Sequence, residues 1–351
     1  MNAEWRVFLE RAGAVLATDG VANFGRADLE SRAALSGEVC CDLSQRGLIV
    51  ARGPDSESFL QGQLTCDLRQ ATPQRSLLGA YCSPKGRALA CPQVFRREDA
   101  HYLELPRALV APTLARLRKY VLRAKTALED ASDSLARMGV AGPAAARLLA
   151  EHASAEVAAM LEGEVRDSHG VTVLRLPGPT PRFQLHGPAP ELTAFWNALA
   201  PNVTPIGAGP WRLLDILAGT PAVYPETVEA FVPQMLNLQL LDGIGFQKGC
   251  YTGQEIVART HYLGKLKRRM YLARVDSPTP PHPGDALFSV HADPGQSAGQ
   301  LADAAWHPDG GYAVLAVAMI ELAERGTLQL GAVGGPTLRL EPLPYRFEAA
   351  A

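Results

Sequence analysis

The sequence predicts an α+β protein that ends in a small β-rich domain, and three observations carry this. Over residues 1–200, helix-like and strand-like stretches alternate without a strict strand–helix–strand rhythm. Over residues 268–351, strand-like runs at 270–275, 286–290, 312–320, 327–330 and 337–340 follow one another across Gly/Pro turns. That layout suits a β-barrel of about 80 residues. The 32 Gly and 27 Pro, finally, punctuate the chain into many short elements.

Residues 6–19 carry apolar positions three and four apart and predict an N-terminal helix. Residues 41–50 read as a strand that stops at Gly53-Pro54-Asp55, and 56–62 as a short helix capped by Asp55 or Ser56. Residues 77–81 and 87–96 form a hairpin candidate across the turn cluster Ser83-Pro84-Lys85-Gly86. Residues 105–125 read as a basic amphipathic helix with its cations in solvent. A second alternation follows, with a strand at 135–140, a helix at 143–151, paired strands at 171–176 and 182–186, and a helix at 191–199. The proline-rich run 276–284 is a loop by composition.

With 34 Lys+Arg against 36 Asp+Glu, the net charge of -2 argues against a dedicated nucleic-acid coat, although a local basic patch is compatible with it. At 47% hydrophobic the chain can bury a sizeable core. No apolar stretch approaches the roughly 20 residues of a membrane span. Glu4, Glu10 and Asp19 interrupt the first 25 residues, which lack a signal-peptide layout. A cytoplasmic protein without membrane partners is expected. Six cysteines with no Cys-x-x-Cys pair are too few for a disulfide scaffold and unsuited to a structural zinc site.

The stretch richest in chemistry is Lys248-Gly249-Cys250-Tyr251-Thr252-Gly253-Gln254-Glu255. It reads as a glycine-flanked loop running into a helix, with Thr252 or Gly253 as cap and Glu255 in the first turn. Cys250 then lies just before a helix N-terminus and two residues after Lys248, an environment that favours the thiolate. No other cysteine of the chain has such neighbours. The cations that follow, Arg259, Lys265, Lys267, Arg268 and Arg269, suit a polyanionic ligand, a phosphate backbone or an acidic partner. No RNA-binding motif accompanies them, which argues against direct contact with RNA. His186 and His261 read as isolated structural or surface residues.

The octapeptide resembles the signature of the YgfZ family of folate-binding proteins, which is linked to iron–sulfur clusters and, through them, to tRNA modification. The likeness extends to residues 59–68, with their Gln61-Gly62-Gln63, to Ser83-Pro84-Lys85-Gly86-Arg87, to 231–238, with Pro233-Gln234 and Asn237-Leu238, and to Glu341-Pro342-Leu343-Pro344-Tyr345. The family is similar to the glycine-cleavage aminomethyltransferase (T-protein). The resemblance implies a three-domain, aminomethyltransferase-like cloverleaf with a C-terminal β-barrel. In this chain that means two interleaved folate-binding-type domains over 1–200, a segment 201–267 that completes the folate domain and carries the motif, and the barrel over 268–351.

The resemblance further implies a tetrahydrofolate derivative bound by Trp211, Tyr251, Gln254 and Glu255, with Lys248, Gly249, Gly253 and Arg259 as motif or anion-binding positions. It makes Cys250 the functional thiol, a transient iron–sulfur ligand or an exchange partner, with client or assembly proteins supplying the remaining ligands and no metal stably bound. Two departures matter. The T-protein carries a Glu that contacts the pterin where this chain has Leu217. It also carries an acidic pair that corresponds here to Ala90-Cys91. Without a carboxylate there, nothing evident polarises a folate nitrogen, which weighs against the alternative of an aminomethyl transferase. A tRNA-binding protein is the other alternative, and the lack of an RNA-binding motif weighs against direct tRNA contact.

Overall fold

The computed structural model describes residues 1–18, 20–293 and 295–347. The chain divides into two compact units, one of Met1–Leu60, Leu68–Leu77 and Gln93–Leu214, the other of Gln61–Asp67, Leu78–Pro92 and Asp215–Ala351.

In the first unit, a six-stranded sheet runs in the order Val165–Ser168, Val171–Leu176, Arg182–Gly187, Ala136–Ala141, Val39–Asp42, Thr204–Ile206. Its pairs are antiparallel except the last. One face is covered by the Ala3–Arg11, Ala145–His152 and Ala189–Leu199 helices, whose Trp5, Leu9, Leu148, Leu149, Leu192 and Trp196 pack on Met138, Val140, Val173 and Leu185. On the other side Val165 and Leu174 meet Leu48, Val50, Phe95 and Tyr102. Those four residues lie on a second antiparallel sheet, which contains Ala127–Asp130, Arg46–Arg52, Ala100–Pro106 and Gln93–Arg97 in that order.

The expected strands at 135–140, 171–176 and 182–186 and the helices near 56, 145 and 191 are present. Three expectations are corrected. The N-terminal helix is Ala3–Arg11, capped by the Asn2 side chain, and it ends at Gly13 with φ +92. Beyond it Val15–Ala17 pairs with Gly20–Asn23. Residues 41–50 are not one strand, because the turn Arg46 N–H to Leu43 O splits them between two sheets. The helix expected at 105–125 spans only Val110–Arg118, since Ala100–Pro106 is a strand buried at every position, its ladder set by both neighbouring strands.

In the second unit, Gln329–Leu330, Ala286–Phe288, Gly299–Trp306, Tyr312–Met319, Arg268–Val275 and Arg339–Glu341 form, in that order, an antiparallel sheet. A bridge between Gln329 and Thr337 draws its edges together, and the sheet curls as a half-barrel. Its core includes Ala273, Val275, Leu287, Leu301, Val314 and Ala316. The Gly299–Trp306 strand, Gly-Gln-Leu-Ala-Asp-Ala-Ala-Trp, has no expected counterpart. Alanines and a mid-strand aspartate read poorly as β-structure. Here Asp303 is satisfied by the Tyr224 hydroxyl at 2.9 Å and the Ala304 N–H at 2.8 Å.

Candidate functional site: a scaffolded thiol loop

Gln61–Asp67, the turn 83–87 and residues 231–238 and 341–345 lie with the octapeptide in the second unit, and contacts there explain their residue types. Lys248 is 7% exposed, and its ammonium donates to the carbonyl oxygens of Gln61 (2.6 Å), Leu64 (2.6 Å) and Cys66 (2.8 Å). Three N–H donors thus meet three backbone acceptors, which leaves none for an anionic ligand. The same ammonium lies 5.0 Å from the centre of the Tyr251 ring, a cation–π distance. The clamped segment is fastened again downstream, where the Thr65 hydroxyl donates to Gly243 O at 2.6 Å and the Gly245 N–H to Thr65 O at 2.8 Å.

The turn 83–86 closes the Tyr81–Cys82/Ala88–Ala90 hairpin by a Gly86 N–H to Ser83 O bond and lies against the start of the motif helix, Gln254–Tyr262. Gly253 caps that helix at φ +83, and a Cβ on it would stand 2.6 Å from Ser83 O. Gly86 has φ +65, and a Cβ there would stand 2.7 Å from Ile256 Cβ. The two glycines permit both the left-handed conformations and the close approach. From below, Gln234 Nε2 donates to Val257 O at 2.6 Å, while Asn237, itself at φ +58, donates to Met270 O at 2.9 Å. The Tyr345 hydroxyl donates to Gly219 O at 2.9 Å.

Held this way, Cys250 is exposed, and the other five cysteines are buried. Burial pushes the Cys66 and Cys82 thiols up to about 12, and it raises Cys40 and Cys91 as well, so all four stay protonated at neutral pH. Burial likewise raises the Tyr251 phenol, with a smaller contribution from Cys82. Gly249, Glu255 and Arg259 are exposed, and Gln254 is half-buried. Among the described residues, no three His, Cys, Asp or Glu side chains gather as a metal site. Ala90 and Cys91 are buried, and no carboxylate lies between Gly86 and Cys91.

Trp211 belongs to the first unit and is 1% exposed. It packs with Val39, Cys41, Ala141 and Leu214, under the Arg182 guanidinium at 5.9 Å, and a Cβ on Gly139 would strike its ring at 2.4 Å. Both ring faces are spent on the core, which leaves no indole face for a pterin. The polar chemistry a reduced pterin asks for is present elsewhere. In the second unit the amide oxygens of Gln63 and Gln234 are buried without a donor, acceptors of the kind that pterin N–H groups satisfy.

Sequence reasoning missed one grouping. Phe246 and His261, fifteen positions apart, stack with ring centres 3.7 Å apart and planes inclined by 16°. Tyr262 meets His261 edge-on at 4.7 Å and is 64% exposed. The spacing from the loop to the last turn of the motif helix was the available signal, but nothing in it specifies the return of the chain.

The chain has an aminomethyltransferase-like fold and carries an exposed cysteine on a clamped loop. Residues 22–177 match the model of the GCVT N-terminal domain. The glycine cleavage system aminomethyltransferase T from Bartonella henselae has the same fold, with a TM-score of 0.73 over 98% of this chain and 97% of its own at 17% identity. The chain belongs to the family of the tRNA-modifying protein YgfZ. It is 31% identical over 321 residues to the protein from Colwellia psychrerythraea (92% of this chain, 97% of the relative) and 34% over 304 residues to that from Sodalis glossinidius (86% and 92%). Among the described residues no helix is long and apolar enough to cross a membrane.

Proposed function

We propose that this chain is a folate-binding accessory protein of tRNA modification that supports the assembly or repair of iron–sulfur clusters in client enzymes, with Cys250 as the working thiol. The observation that carries the reading is selective exposure: of six cysteines only Cys250 is exposed, on a loop clamped before and capped after it. A thiolate is the usual iron–sulfur ligand, and a single one needs partners, so the client or a small thiol supplies the remaining ligands to the cluster as cargo. The family's relatives are named for tRNA modification, and the fold is shared with an aminomethyltransferase. Folate, when bound, supplies a carrier for one-carbon units. Gln63 and Gln234 supply unpaired buried acceptors for its ring, with Gln254 and Glu255 beside the loop. The stretch 86–91 offers no carboxylate to activate a folate nitrogen, which favours a binding role over aminomethyl transfer.

The test is methylthio-modified nucleoside content of tRNA in a strain lacking the gene, complemented by wild type or Cys250→Ala at matched protein levels. Wild type restores the modification and Cys250→Ala does not. Equal restoration by both overturns the role of the thiol.

A further inference from the structure

The stretch around Cys250 carries a local excess of cations in a chain of near-balanced charge. Between Phe246 and Arg269 there are six cations, Lys248, Arg259, Lys265, Lys267, Arg268 and Arg269, and one acid, Glu255. Lys248 is consumed by carbonyls, Arg268 donates to Ser297 O at 3.1 Å, and Arg269 pairs with Glu324 at 3.5 Å. Arg259, Lys265 and Lys267 remain exposed and make no ion pair with the described residues. Unpaired cations by themselves are a solvated surface. Here they flank rings along the chain: His261, exposed and stacked on the half-buried Phe246, and Tyr262 at 64% exposure. Leu263, the next residue, is 85% exposed.

A stacked pair with one exposed ring, an exposed aromatic flank and three uncompensated cations is a composition that suits unpaired nucleotides. Every base has a π-face to extend a ring stack, and the phosphates between bases meet the cations. A bare acidic peptide would use the charges and waste the rings. We propose that Phe246, His261 and Tyr262, with Arg259, Lys265 and Lys267, form a docking surface for a single-stranded segment of RNA. Phe246 lies four residues before Cys250 on the same loop, so the surface and the thiol are presented by one element. The proposal rests on the functional reading above only in taking the physiological RNA to be an exposed tRNA loop.

Fluorescence anisotropy on the full chain tests it with three probes: a tRNA transcript, an unstructured RNA of about 12 nucleotides, and an RNA duplex of about 16 base pairs. Wild type is expected to bind the first two more tightly than the duplex, with affinity falling as salt rises. Tyr262→Ala, at an exposed position, weakens single-strand binding by about fivefold or more while changing duplex binding little. Lys265→Ala combined with Lys267→Ala reduces the salt slope on the single strand by about 1.4. Equal affinity for duplex and single strand, or a Tyr262→Ala variant that binds like wild type, reduces the surface to plain electrostatics and overturns the proposal, as does absence of RNA binding. Cys250→Ala is expected to bind RNA like wild type. Loss of RNA binding alongside a required Cys250 defeats only the docking surface, whereas intact RNA binding with a dispensable Cys250 defeats only the thiol reading.

Discussion

Withdrawing the ammonium of Lys248 strands the carbonyls of Gln61, Leu64 and Cys66 together, in a place where water has little access. Lys248→Met is therefore expected to destabilise the protein by about 2–4 kcal/mol, read by urea denaturation. Lys248→Arg should not rescue it, because a planar guanidinium cannot reach three converging carbonyls as a compact ammonium does. An unchanged unfolding midpoint in Lys248→Met would refute the clamp. The cysteines give a second expectation at this scale. Native protein treated with iodoacetamide at neutral pH should be alkylated at Cys250 alone, since the other five are buried and four of them are held protonated. Peptide mass spectrometry after a short pulse decides it, and rapid labelling of Cys82 or Cys66 would show that the scaffold opens.

At the scale of elements, the thiol loop is shaped by the packing of the turn 83–86 onto the motif helix. Gly253→Ala places a methyl 2.6 Å from Ser83 O at a residue whose φ is +83. The conformational penalty alone is about 1–2 kcal/mol, and the contact adds to it, so thermal unfolding should shift downward by several degrees. The thiol loop should loosen with it, seen as faster alkylation of Cys250 than in wild type. If Gly253→Ala unfolds and reacts like wild type, the glycine is not required by this contact. Much at this scale was readable in the chain: the loop-to-helix transition at Gly253, the hairpin across 83–86 and the strand pair of residues 171–176 with 182–186 all rest on local chemistry. What escaped was set by partners distant in sequence. The strand Ala100–Pro106 outcompeted a helical pattern because both its neighbours pair with it, and Gly299–Trp306 became a strand despite its alanines because Tyr312–Met319 and Ala286–Phe288 flank it.

Over the whole molecule, stability should depend on pH through buried histidines. His186 is fully buried between Phe95, at 4.5 Å, and Glu104. Burial and the charges of Arg137, Arg97 and Arg46 hold its proton affinity well below the ordinary value of 6.5. Glu104 faces His186 Nε2 with its Oε2 at 3.5 Å, while its Oε1 is engaged by Arg46 and Gln184, both at 3.1 Å. His101 and His307 are shifted the same way, mainly by burial. Each binds a proton more weakly folded than unfolded, so the unfolded chain gains protons first as the pH falls. Stability is fully present above about pH 7 and is lost as the pH drops through 6.5 toward 5, by up to about 1.4 kcal/mol per pH unit for His186 and by less for the more open His101 and His307. Denaturation midpoints between pH 7.5 and about 5 check the sign, and His186→Gln should flatten the slope. Because burial raises the Asp42 carboxyl and works in the opposite sense, the His186→Gln comparison decides: a slope as steep as wild type in that variant would contradict a buried neutral His186.

By itself the sequence determined the α+β class, the β-rich end and the glycine-flanked loop that runs into a helix at Gly253, because these depend on local periodicity, turn chemistry and a distinctive run of residues. The tertiary structure alone decided what the side chains of that run do. It turned Lys248 from a candidate anion ligand into a backbone clamp, enclosed Trp211 in a core, and stacked His261 on Phe246. Each of these outcomes depends on atoms supplied by residues far along the chain: carbonyls from 61–66, the backbone at Gly139, and a ring fifteen positions away. Burial and pairing are properties of the folded neighbourhood, and spacing in the sequence carries them only where the partners are close.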